Sequence, residues 1–306
     1  MRALAAAVLV VLYTLTAVVL IVRMAPALHP LLRHGKTLPT AASREPAPSH
    51  ALAITALFTR TLPKAYFSHF YPLGASISAA LLLVLVLAPT GAAFPLLRLL
   101  LRADALLPVA PSTSSAVPLS HASIACALML LHCLRRTYET RHLDTRPNPA
   151  ARIRFGHYLV GIVFYIVTPL ALVCDALISA LPPRSQSPTY KSPPSHLSQV
   201  CIAAALFAVF SVVQFTAHAQ LACLHKYSPP PPSVLFKHTL CPHYAAEIGL
   251  YFTLAWICNF SPATVAVTVW TFINLAVSAE QSRKFYIAQF GPAAVANKWN
   301  ILPFVF

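Results

Sequence analysis

The chain has 306 residues, of which 58% are hydrophobic and 9% charged, and it carries a net charge of +15. A soluble domain carries about 25% charged residues, so this composition excludes an ordinary water-soluble enzyme and points to a polytopic helical membrane protein. With seven glycines there is neither a GxGxxG nor a P-loop, so any nucleotide site must be built without those turns.

In chain order, the first apolar run is 3–22 (ALAAAVLVVLYTLTAVVLIV), a membrane anchor whose core is too long for a cleaved signal peptide. A Pro- and Ser-containing linker follows (PTAASREPAPSH, 39–50). Next comes the aromatic stretch ALAITALFTRTLPKAYFSHFY, suited to an interfacial or re-entrant helix. Further runs lie near 73–97, 117–134, 157–180, 199–221 and 243–279. The last is too long for one helix and is broken at Asn259-Phe260-Ser261-Pro262, which makes seven spans. Between the fourth and fifth, LPPRSQSPTYKSPPSH (181–196) reads as a low-complexity lumenal loop. The seven cysteines lie in or beside apolar runs without a CxxC pair, and they read as buried free thiols.

The basic excess alone would suit nucleic acid; its distribution points to membrane topology instead. Loops 1, 3, 5 and the C-terminal tail hold 17 of the 22 Lys and Arg residues. The positive-inside rule places those segments in the cytosol and the N-terminus on the opposite side.

Polar residues inside membrane spans are costly, so their placement is informative. His132, Arg135, Arg136 and Glu139 share one helical face of the third span, and Gln214 and His218 are four apart on the fifth. His243, Glu247 and Tyr251 repeat every fourth residue on the sixth, as do Asn274, Ser278, Ser282 and Tyr286 on the seventh. Under this topology all four stripes face one cavity on the cytosolic side. Arg135 and Arg136 also fit a stop-transfer role, and Asn274 and Ser278 fit interhelical hydrogen bonding. A metal site at His243 and Glu247 would lack a third ligand. Basic residues beside amide-rich faces suit a phosphorylated anionic cofactor, and apolar walls suit a lipid substrate. The residues alone thus leave a membrane enzyme or a lipid carrier.

Six stretches narrow this choice: PKAYFSHFY (63–71), LHCLRRTYE (131–139), HYLVGIVFY (157–165), QFTAH (214–218), CPHYAAEIGLY (241–251) and SRKFYIAQFGPAAVANKWNILPFVF (282–306). They resemble the steroid 5α-reductase family, and within it the polyprenol/polyprenal reductase branch. The resemblance divides the chain into an anchor and linker over 1–57 and a reductase domain over 58–306. It implies an all-α fold of about seven transmembrane helices, with NADPH in a cavity opening to the cytosol. It also implies hydride delivery to the α-isoprene C=C bond of polyprenal or polyprenol on the way to dolichol, in the endoplasmic reticulum membrane. No metal and no obligate protein partner are implied.

Carried over by position, Arg136, Gln214, His218, His243, Tyr244, Glu247, Ser278, Ser282 and Tyr286 fall at cofactor positions. Tyr66, His69 and His132 are the candidates for donors to the substrate oxygen. Thr61 stands where steroid-reducing relatives carry an acidic residue, and Cys133 where they carry a tyrosine, which counts against a steroid substrate. A 3-oxo-steroid or enoyl-CoA reductase and a non-catalytic lipid carrier or receptor are the alternatives.

Overall fold

The computed structural model describes residues 2–25, 60–87, 117–143, 152–180, 196–224 and 228–303. Among the described residues, seven long helices carry the fold: α1 (Arg2–Met24), α2 (Phe70–Leu87), α3 (Leu119–His142), α4 (Phe155–Ala180), α5 (Leu197–Cys223), α6 (Pro242–Ile257) and α7 (Pro262–Phe290). Five of them, α1, α2, α4, α5 and α7, are long and apolar enough to cross a membrane. The other two explain themselves. α6 has 16 residues, about 24 Å at 1.5 Å per residue, against a hydrocarbon core of about 30 Å. α3 has the length, with 24 residues, but its last turns hold Arg135, Arg136, Glu139 and Arg141. The two helices that fall short as apolar spans are the two that carry most of the charged site.

Helix limits follow local chemistry. Pro242 and Pro262 stand in the first turns of α6 and α7, where a missing N–H costs nothing. Between them Asn259 and Phe260 take left-handed backbone angles, φ 53° and 50°, and this turn is the break expected at 259–262. α7 stops at Gly291, φ 78°, a region that favours glycine. Hydroxyls within spans bond back one turn, as Thr16 does to Leu12 (2.8 Å), Thr137 to Cys133 (2.8 Å) and Thr140 to Arg136 (3.0 Å). Such bonds satisfy a polar side chain where water is absent.

Residues 88–97 of the expected second span and 181–195 of the low-complexity loop lie outside the described residues. The structure departs from the sequence reading in two places. The amphiphilic helix expected before α2 gives way, in its described part, to strand β1 (Thr61–Pro63) and a 3₁₀ turn (Lys64–His69). Pro63 disfavours helix at the residue before it, and β1 instead pairs antiparallel with β2 (Arg152–Arg154), Leu62 opposite Ile153. All seven cysteines are free as expected, but Cys201 and Cys223 are exposed rather than buried.

α5 lies along α6, α2 along α3, and α1 against α4 and α7. Gly249 allows the α5–α6 approach, since a Cβ there would come within 2.7 Å of the Phe210 ring. The main core runs through α1–α6 and the start of α7, with Leu12, Leu85, Met129, Leu177, Leu250 and Ile257 almost wholly buried. A second apolar cluster joins α6, α7 and the C-terminal segment through Leu240, Ala279, Tyr286, Val295 and Ile301.

Candidate active site

α3 and α5 end, and α2 and α6 begin, at one end of the bundle, and there their polar side chains meet. Glu139, 2% exposed, is the hub. Its Oε1 accepts from Arg135, and its Oε2 from Arg136 and, at 2.7 Å, lies against His218 Nδ1. Arg136 also reaches His218 Nδ1 (2.6 Å) and donates to the Tyr71 hydroxyl (2.8 Å), with its guanidinium 4.8 Å from the Tyr71 ring centroid. Arg135 extends the network by donating to the Gln214 amide oxygen, and the Gln214 amide nitrogen donates to Glu247 Oε2. Two guanidiniums thus face two carboxylates. Such balance is what permits charges to stand among apolar helices, because an unpaired charge there costs several kcal/mol.

His132 occupies the inner side of this network. Arg135 Nη2 lies 3.2 Å from its Nδ1. A guanidinium can only donate, so Nδ1 is the accepting nitrogen and the proton resides on Nε2. That Nε2 faces Glu247 Oε1 at 3.6 Å, beyond hydrogen-bond length. Around it lie aromatic rings: Tyr251 at 6.2 Å between ring centroids, then Phe164 at 5.5 Å from Tyr251, and Tyr165 at 5.5 Å from Phe164. Gly74 fits this corner because a Cβ would meet Tyr165 at 2.7 Å and Cys133 Sγ at 2.9 Å.

The expected residues fall into three groups. His132, Arg136, Gln214, His218 and Glu247 come together in the ionic network, and His243 stands beside it, 5.4 Å from the His218 ring and 4.3 Å from Tyr244. Tyr244 turns to the other face of α6 and packs with α7 in the second apolar cluster, as Tyr286 does. Ser282 neighbours Tyr244, and Ser278 donates to the Asn274 carbonyl of its own helix (2.9 Å). Tyr66 and His69 form a separate aromatic group one turn before Tyr71, where His69 Nδ1 lies 3.2 Å from the Tyr158 hydroxyl and Tyr66 is 41% exposed.

Tyr71 was not foreseen in the network. No periodic stripe marks it, since it is one of five aromatic residues within 66–71 counting His69. Arg135 and Glu139 were visible as part of the α3 stripe, but their mutual pairing was not. Nearby, Arg283 has a structural role: it donates to Asn300 Oδ1 (2.5 Å), to the Val295 carbonyl (3.2 Å) and to the Lys298 carbonyl, clamping the C-terminal segment onto α7.

A family model for 3-oxo-5-alpha-steroid 4-dehydrogenase matches residues 185–306, which include α5, α6 and α7. A curated polyprenal reductase of Saccharomyces cerevisiae is 29% identical over 245 residues, covering 80% of this chain and 75% of the relative. The polyprenal reductase of Caenorhabditis elegans is 26% identical over 269 residues, covering 80% of each chain. The human polyprenal reductase is 28% identical over 292 residues, covering 90% of this chain and 85% of the relative. A 90% share exceeds residues 58–306 alone, so this likeness reaches into the first 57 residues, beyond the stretch in which the sequence motifs lie. The chain is thus similar to the 3-oxo-5-alpha-steroid 4-dehydrogenase family over its last three helices and to curated polyprenal reductases along most of its length.

Proposed function

We propose that this protein is a polyprenal reductase of the endoplasmic reticulum membrane, which saturates the α-isoprene C=C bond of polyprenal with NADPH during dolichol synthesis. Support comes from the polyprenal reductases similar to it over most of their lengths and from a polar site enclosed by apolar helices. The observation that carries the reading is the Gln214–Glu247 pair set inside the α3–α5–α6 network.

The chain's residues fit a nicotinamide dinucleotide on two counts. Glu247 Oε1 is beyond hydrogen-bond reach of His132, so it can accept from a carboxamide N–H. Arg135 Nε is buried without a hydrogen-bond partner among the described residues, a cationic donor suited to a phosphate oxygen. In this reading Arg136, Gln214, His218, His243, Tyr244 and Glu247 hold the cofactor from α3, α5 and α6, and Ser278, Ser282 and Tyr286 border it from α7. When bound, NADPH supplies hydride. Tyr66, His69 and His132 are the donors toward the substrate.

Substrate choice follows from where the charge can go. Hydride adds to an alkene only if a conjugated carbonyl takes up the electron pair, and polyprenol has no such sink while polyprenal does. The network holds its donors in place before reaction, and each preorganised donor to a developing oxyanion is worth about 10²–10³ in rate. Cys133 provides no phenol at the position where steroid-reducing relatives carry one, in keeping with a substrate other than a steroid.

The test is an assay of purified protein in lipid with NADPH and, in turn, polyprenal, testosterone and a long-chain enoyl-CoA. Reduction of polyprenal alone is expected. Reduction of testosterone alone would overturn the proposal, and a protein that failed to bind NADPH would be a carrier.

A further inference from the structure

We infer that His132 and Tyr251 together form the binding site for the carbonyl oxygen of the substrate aldehyde. This rests on the reductase reading for its chemistry and on two orphaned donors for its location.

Both side chains are 2% exposed, one on α3 and the other on α6, with ring centroids 6.2 Å apart and planes at 68°. Among the described residues, His132 Nε2 and the Tyr251 hydroxyl are buried atoms without a hydrogen-bond partner. His132 Nε2 is an N–H donor, because Nδ1 accepts from Arg135. Tyr251 brings an O–H. Glu247, Cys133 and Tyr71 act on it electrostatically, and the Tyr165 side chain is the neighbour close enough to interact with its hydroxyl, although outside good hydrogen-bond geometry. A buried donor left unsatisfied costs about 1–3 kcal/mol. Phe at 251 would avoid this cost at almost the same volume. Two such donors side by side define a place for one acceptor oxygen.

The chemistry of the pair selects that acceptor. A carbonyl oxygen has two lone pairs and no proton of its own, so it can take one hydrogen bond from each donor. A hydroxyl brings a further donor, and the acceptor nearest this pair, Glu247 Oε1, is the atom assigned to the cofactor amide. Tyr251 lies four residues beyond Glu247 on the same helix, one turn or about 6 Å along its axis. The site for the substrate oxygen is therefore one turn away from the carboxylate assigned to the cofactor amide.

When hydride adds to the β-carbon of the enal, a C–H bond forms and the C=C π bond breaks. The electron pair moves onto the carbonyl oxygen as an enolate. His132 and Tyr251 hold that oxygen without transferring their protons, while a proton taken from water adds at the α-carbon and restores the C=O bond. The alkene is reduced and the dihydronicotinamide is oxidised. In the surrounding shell of Cys133, Phe164 and Tyr165, two fixed donors act with little screening by solvent.

Tyr251→Phe in the full chain removes one oxygen and keeps the ring. We expect kcat with polyprenal to fall about 100-fold, KM for NADPH to stay within about twofold, and the unfolding midpoint to stay or rise because an unsatisfied hydroxyl is gone. Binding is read separately, by titrating polyprenal and the oxygen-free polyprenyl hydrocarbon of equal length in the presence of NADP⁺. The wild type should prefer the aldehyde by about tenfold, about 1.4 kcal/mol, and the variant should lose that preference. Unchanged kcat together with unchanged aldehyde preference in the variant overturns the site and leaves the reductase reading standing. A wild type that prefers the aldehyde but never reduces it overturns the reductase reading and leaves the site standing. Should the variant not fold, the infrared C=O stretch of polyprenal bound to the wild type decides. A shift to lower frequency is the expected result, and the unbonded frequency rules the site out.

Discussion

Glu139→Gln tests the network at its hub. The carboxylate receives Arg135 on one oxygen and Arg136 on the other, with His218 Nδ1 lying against that second oxygen, in a side chain that is 2% exposed. A glutamine keeps the shape but offers one oxygen, so one guanidinium loses its acceptor and meets an amide NH₂ instead. The cluster also goes from two cations facing two anions to two facing one. Removing one partner of a buried ion pair costs about 3–5 kcal/mol. The oxygen that glutamine retains offsets part of this, so the expected loss is about 3 kcal/mol, more than 100-fold in the folded-to-unfolded ratio. Titration with SDS in mixed micelles, followed by tryptophan fluorescence, would report it, since Trp270 is 3% exposed in the core. The second arm is Glu139→Gln combined with Arg136→Met, which restores the charge balance with Arg135 and Glu247. Coupled sites make the double variant less destabilised than the sum of the singles, by at least about 1 kcal/mol. A Glu139→Gln protein within about 1 kcal/mol of wild type, with the double variant additive within about 0.5 kcal/mol, would refute the argument that charge balance holds this site together.

Three further outcomes are expected. Glu247→Gln should raise the NADPH dissociation constant about tenfold, the equivalent of about 1.4 kcal/mol; a direct nucleotide titration showing wild-type affinity would remove Glu247 from the cofactor site. Gly249→Ala puts a methyl 2.7 Å from the Phe210 ring, one turn from Gln214, so it should destabilise the bundle by about 1–3 kcal/mol and weaken cofactor binding too. If the same SDS titration finds no change, the α5–α6 contact is looser than described. Arg283→Ala strips the clamp on Val295, Lys298 and Asn300. A loss of about 2 kcal/mol is expected, seen as faster limited proteolysis beyond Gly291, whereas an unchanged cleavage rate would mean that the apolar contacts of Val295 and Ile301 hold the segment unaided.

By itself the sequence determined the helices. Apolar runs of membrane length, a proline-marked break at 259–262 and stripes at three- and four-residue spacing are local properties, because a helix rotates each residue by a fixed angle and spacing alone says which side chains share a face. That is why His132, Gln214, His218 and Glu247 could be nominated from their positions in the chain. Which face meets which is decided across 33 to 136 residues of chain, by how rings and glycines let helices approach. Only the tertiary structure brought Tyr71 to Arg136, paired β1 with β2, and turned Tyr244 and Tyr286 toward a cluster on the far side of α6. It also decided that Glu139 balances both arginines, while His132 Nε2 and the Tyr251 hydroxyl remain unspent. The opposing faces of α3 and α6 set that last pair. A donor shows its lack of an acceptor only when every group around it is in place.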